Sequence, residues 1–128
     1  MTIANFDIII FNEQIGDEEG EIDVPWYVYV GDQTTKRTFN IPGVPTGNGY
    51  IIVQVYDVQN KGHKIIINGE DLPGEDIIRT RENQWQDVTD VIPEGILRQG
   101  RNTIQIVGAK SGDNIMIGAV IINWKEFD

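Results

Sequence analysis

Few residues in this chain have the types and spacing that chemistry requires. Nucleophilic catalysis of the Ser-His-Asp kind needs a serine with a base in reach, and the chain holds one serine, Ser111, and one histidine, His63. Ser111 lies in Lys110-Ser111-Gly112-Asp113, a turn-like stretch without the strained strand-to-helix elbow of hydrolases. The two read as a turn serine and a strand-edge histidine. Glycoside hydrolysis needs two carboxylates across a cleft with separated pKa values; 20 acidic residues offer candidates, and nothing in the order of residues singles out a pair. No Gly-x-Gly-x-x-Gly and no Walker-type lysine motif is present, which leaves a nucleotide site without support.

Binding chemistry has more material. The acidic run Asp17, Glu18, Glu19, Glu21, Asp23 offers oxygen ligands to a hard cation such as calcium, which takes six to eight of them. Its spacing is not that of an EF-hand, and a solvated acidic loop accounts for the same residues. Glu75, Asp76 and Asp113 are weaker metal candidates. Trp85 is flanked by Arg79, Arg81, Asn83 and Gln84, an aromatic ring beside a polar cluster. An exposed ring of that kind can stack on the apolar side of a pyranose while its neighbours bind hydroxyls. Trp26, Tyr27, Tyr29, Tyr50, Tyr56 and Trp124 are further aromatics, for which core or edge packing is the competing explanation.

Composition bounds the rest. A chain of 128 residues can bury a real core without disulfides or a structural metal, and one domain over residues 1–128 is expected. A formal charge of −10 repels a phosphate backbone, so nucleic acid is not an expected partner. With no cysteine, disulfides and thiolate chemistry are absent and the redox compartment is undetermined. The first residues lack the basic and apolar regions of a signal peptide, and no apolar run approaches the ~20 residues that cross a bilayer. No membrane insertion is expected, and the location is cytoplasmic by default.

The elements that must position these residues are strands. Ile and Val recur throughout, as in Ile8-Ile9-Ile10 and Ile65-Ile66-Ile67, while leucine occurs only at Leu72 and Leu97. Side chains branched at Cβ fit a pleated surface better than a helix. Strands are expected over 4–12, 24–30, 35–41, 50–58, 63–68, 75–80, 84–88, 101–107 and 114–124. The alternation in 24–30 places Val24, Trp26, Val28 and Val30 on one face, towards the core, and Tyr27 and Tyr29 on the other. The strands 50–58 and 63–68, joined by Asn60-Lys61-Gly62, are expected to pair. Asn68-Gly69 suits a type I′ turn, 42–49 reads as a loop, and Asp90 is expected to cap a brief helical turn ending at Gly100. The strand 114–124, apolar on both faces, suits a central position.

The order Asn68-Gly69, then Asp87-Val88-Thr89, then Gly100-Arg101-Asn102 before an apolar strand resembles the galactose-binding-domain-like β-sandwich. This is the jelly roll of many carbohydrate-binding modules and of the non-catalytic domains of β-galactosidase-type glycoside hydrolases. The resemblance covers roughly the C-terminal half. It implies an all-β, two-sheet antiparallel sandwich with no catalytic residues, in which Asn68, Asp87, Thr89 and Asn102 serve turns and backbone hydrogen bonds. It also implies sugar binding through loops at one end, with 31–34, 42–49, 57–62 and 80–84 as candidates, and a possible structural calcium at Asp17, Glu18 and Glu19. Trp85, Arg79, Arg81, Asn83 and Tyr27 are the expected ligand-binding residues. The alternative is a structural or assembly protein that presents its aromatic strand or an edge to a protein surface or to copies of itself as a homo-oligomer.

Overall fold

The computed structural model describes residues 1–19, 24, 26–110 and 112–127. Its strands are β1 (Thr2–Ile15), β2 (Val28–Tyr29), β3 (Arg37–Ile41), β4 (Val44–Tyr56), β5 (Lys64–Ile67), β6 (Glu70–Asp71), β7 (Trp85–Ile92), β8 (Gly100–Val107) and β9 (Ile115–Phe127). They form a five-stranded sheet in the order β2-β1-β9-β4-β7 and a four-stranded sheet in the order β3-β8-β5-β6. All pairings are antiparallel except β1 with β2. The expected two-sheet sandwich is the observed one.

Period-two alternation explains why these runs stack. In β4, Ile51, Val53 and Val55 are fully buried between the sheets, while Tyr50, Ile52 and Gln54 lie on the outer face. Phe39 and Ile41 of β3 turn inward, and the Phe39 ring meets that of Trp124 of the opposite sheet at 6.3 Å between centroids. β9 is central to its sheet and buried on its inner face by Val120, Ile122 and Trp124. Across the outer face of that sheet, Phe6, Asn123, Tyr50 and Val91 form one cross-strand row, and Ile8, Ile121, Ile52 and Thr89 form the next.

Several expectations fail for identifiable reasons. The run 24–30 forms only the two-residue β2, because the Tyr27 N–H bonds to the Val24 carbonyl in a turn at 3.1 Å. Its expected inward face holds only in part: Val30 packs against the core, but Trp26 and Val28 are 67% and 63% exposed instead of buried. β4 and β5 do not pair; they lie in opposite sheets, and the bend at 59–62 carries the chain across. Residues 44–49 extend β4 rather than forming a loop, held by β9 along Val44–Thr46. The run 75–80 forms no strand. Among the described residues there is no helix: Asp90 belongs to β7, its carboxylate accepts the adjacent Val91 N–H, and Pro93 follows with a single turn closed by Ile96.

The expected turn at Asn68-Gly69 is present, with φ of 53° and 79°. Around it the two motif asparagines replace missing backbone partners. Asn68 Oδ1 accepts the Thr103 N–H at 2.9 Å, and its amide donates to the Ile96 carbonyl and to Asn102 Oδ1. The wholly buried Asn102 donates to the carbonyls of Arg98 and Gly100 and accepts the Arg98 N–H. Asp87 and Thr89 do not share this role; both are exposed on the outer face of β7.

Candidate functional site

Pairing register decides which loops meet. Tyr56 stands opposite Trp85 and Met116, and Ile15 opposite Ile115, so the segments beyond these residues gather at one end of the sandwich. The Gly108 N–H bonds to the Asp32 carbonyl and the Asn83 N–H to the Asp57 carboxylate, which brings loops 31–34, 57–62, 80–84 and 107–114 to that end. The fourth expected sugar loop, 42–49, is at the opposite end, where Gly47 and Asn48 bond to Glu94.

At the shared end, three rings are in contact on the outer side of the five-stranded sheet. The Trp85 ring lies 5.2 Å from Tyr56 and 5.6 Å from Tyr27, at interplanar angles of 55° and 44°. Tilted contacts of this sort are the favoured aromatic geometry and hold each ring in place. Trp26 extends the group from Tyr27 at 6.4 Å. Trp85 keeps 41% of its surface exposed. Partial burial raises the Tyr27 phenol above its ordinary pKa, which keeps it a neutral hydroxyl.

Gly118 makes room for this group. A Cβ there would stand 2.1 Å from Gln54 Oε1 and 3.2 Å from the Tyr27 hydroxyl. Gln54 uses its carbonyl to accept the Ala119 N–H at 3.2 Å, while its exposed amide N–H groups keep no protein acceptor among the described residues. The arrangement combines stacking faces with fixed hydroxyl and amide groups, the chemistry that a sugar ring needs.

Trp85 and Tyr27, two of the expected ligand residues, are thus brought together. Arg79, Arg81 and Asn83 are exposed on the segment leading to Trp85; Asn83 takes φ of 56° in the turn anchored on Asp57. Tyr56 is one of the further aromatics that the sequence offers, whereas Gln54 and Gly118 were not expected at the site. Tyr56 and Gln54 share the outer face of β4 by simple alternation, a signal legible in sequence, whereas the glycine depends on the β9 neighbour.

A concavity at the same end, about 410 Å³, is lined by Gly16, Asp17, Asp32, Gly108, Lys110 and Gly112, with none of the three rings in its wall. Asp17, Glu18 and Glu19 are exposed near it. Asn114 donates to Asp17 Oδ1 at 3.0 Å and accepts the Glu18 N–H at 3.2 Å. Among the described residues, no three His, Asp or Glu side chains converge as a metal-binding group. Glu21, Asp23 and Ser111 lie outside the described residues.

His63 is not the strand-edge residue expected but is buried. Its Nδ1 accepts the Ala109 N–H at 3.0 Å, which leaves Nε2 to donate to Asp113 Oδ2 at 2.9 Å. With both nitrogens engaged, the ring has none free to act as a base. Asp113 also accepts the N–H groups of Gln59 and Asn60. Burial pushes its carboxyl up, but these bonds, that of His63 foremost, outweigh it and leave the pKa below its ordinary value.

Asp76 and Asp90 form a different acidic pair, between the sheets. Asp76 Oδ2 accepts the Ile65 N–H at 2.7 Å, while Asp76 Oδ1 and Asp90 Oδ2 are buried without a hydrogen-bond partner among the described residues. Burial first, and then Asp71 and Asp90, push Asp76 up to about 7. Burial likewise raises Asp90. Neither carboxyl is among the residues that line the concavities at Gly108 or at Tyr50.

The fold is shared with carbohydrate-binding proteins. The CBM36-1 domain of a multidomain xylanase from the hindgut metagenome of Trinervitermes trinervoides superposes with a TM-score of 0.60 at 17% identity, covering 92% of this chain and 96% of that one. A family 35 carbohydrate-binding module from an environmental isolate gives 0.55 at 16% identity over 70% of this chain and 64% of its own. A β-porphyranase of glycoside hydrolase family 86 from Bacteroides plebeius gives 0.60 at 12% identity, with 99% of this chain matching 21% of that one. At such identities the likeness carries the architecture alone. No curated protein matches the sequence. The chain belongs to the family of unknown function DUF7383, whose model spans residues 3–126.

Proposed function

We propose that the protein is a non-catalytic carbohydrate-binding module that holds its ligand on Trp85, Tyr56 and Tyr27. The observation that carries this reading is the half-exposed Trp85 ring fixed between two tyrosines beside the Gln54 amide and the Tyr27 hydroxyl. The rings supply the apolar contact, and Gln54, Asn83, Arg79 and Arg81 supply donors for hydroxyls. Because the rings are tilted rather than coplanar, they suit a soluble glycan chain better than a flat crystalline surface. The occupied nitrogens of His63 favour binding over catalysis. The modules that share the fold give the reading its prior, by analogy only.

Calorimetric titration with mono- and oligosaccharides, in calcium and in chelator, tests it. Binding should fall at least tenfold in Trp85→Ala with the fold intact by circular dichroism. The paired calcium and chelator arms report whether Asp17, Glu18 and Glu19 contribute a structural cation. Absence of binding at millimolar sugar in both arms contradicts the proposal.

A further inference from the structure

The outer face of the five-stranded sheet carries apolar side chains that nothing among the described residues covers. Phe6, Ile8, Ile10, Tyr50 and Val91 remain 59%, 50%, 60%, 46% and 51% exposed on β1, β4 and β7. Together they offer about 500 Å², near the largest patch that a soluble monomer ordinarily shows. The rows through Phe6 and Ile8 contain no charged residue, on a chain of net charge −10; Ile10, opposite Ala119, lies beyond them, and Asp87, opposite Gln54, is the next outward residue of β7.

We propose that this face is the interface of a two-fold symmetric homodimer, in which two five-stranded sheets stack face to face. Three observations select a second copy as the occupant. First, pairing the patch with itself removes about 1,000 Å² from water, the threshold of a specific interface. Second, repulsion between two chains of charge −10 is least where the facing surfaces carry no charge, and these two rows provide such a surface. Third, three edge N–H groups of the five-stranded sheet are already engaged, which disfavours its edges as a route to association. On β1, Asn5 and Asp7 carboxamide and carboxylate oxygens accept the neighbouring N–H groups of Phe6 and Ile8 at 2.9 Å each, and on β7 Asp90 accepts that of Val91. Face-to-face stacking is the remaining way to bury the patch, and a patch meeting its own copy is self-complementary in chemistry.

Sedimentation equilibrium of the full chain, up to about 1 mM, tests the proposal. The expected result is a dimer whose affinity rises with salt, since screening relieves the repulsion between like-charged copies. Ile8→Glu and Val91→Glu, on strands at opposite sides of the face, should each weaken it at least 100-fold while circular dichroism and melting confirm folding. Thr38→Glu on the outer face of the other sheet should leave it unchanged. A monomer at every concentration, including one whose patch is covered instead by a different protein, overturns the proposal. So does a dimer that survives both glutamate variants.

Discussion

The outer faces of the two sheets make opposite use of the same alternating pattern. On the four-stranded sheet the outward residues are mostly polar: Thr38 opposite Thr103, Asn40 opposite Arg101, Gln105 opposite Ile66 and Lys64 opposite Val107, with Ile66 and Val107 the exceptions. On the five-stranded sheet the corresponding positions are Phe6, Ile8, Tyr50, Ile52, Ile121 and Val91. The inner faces are equally apolar, so core formation does not require the difference. An antiparallel sheet with one solvated face normally reads as apolar inside and polar outside. The four-stranded sheet obeys this rule, and the departure in its partner locates the surfaces on which binding and association are proposed.

The sharpest test of that contrast uses adjacent residues of one strand. Ile122 is fully buried between the sheets, and Ile121 lies on the outer face beside Ile8 and Ile52. Ile122→Ala should cost about 3–4 kcal/mol in denaturant unfolding through lost burial and a cavity. Ile121→Ala, measured on dilute protein, should cost under about 1 kcal/mol. Equal costs would show that the outer face is packed in the isolated chain.

A second comparison separates structural from exposed motif residues. Asn102→Ala leaves the Arg98 N–H and two carbonyls without their partner inside the protein, and should cost about 3 kcal/mol. Asp87→Ala, on the exposed face of β7, should change stability by under about 0.5 kcal/mol.

A smaller effect distinguishes the buried acids by sign. Asp76 titrates near 7 in the folded protein against about 3.8 when unfolded, and Asp90 is raised as well. The folded state then holds more protons over that window, so this contribution is complete below 3.8 and is lost as pH rises towards 7. Asp113 is shifted the other way, and its contribution is lost as pH falls below the ordinary carboxylate range. Urea titrations should show Asp76→Asn flattening the decline between about pH 4 and 7, since an amide keeps the Ile65 bond without titrating. An unaltered slope would place the proton elsewhere.

The sandwich was legible because alternation in 37–41, 50–56 and 115–124 agrees with what the core demands, and because Asn68 and Asn102 occupy positions where backbone groups need partners. The failures mark places where neighbours decide. Whether residues 44–49 extend a strand depends on β9 lying alongside, and the brief helix expected after Asp90 lost to pairing of Val91 and Ile92 with β4. Trp85 was recognisable by its polar surroundings and Tyr27 by its outward position. Tyr56 and Gly118 join them only through cross-strand register, which a one-residue shift would invert.

The most direct measurement is an oligosaccharide titration followed through the indole N–H resonances of Trp26, Trp85 and Trp124. The account predicts that the Trp85 signal moves in a saturable way while that of the buried Trp124 stays fixed. A Trp85 indole that stays unmoved at millimolar glycan would contradict it.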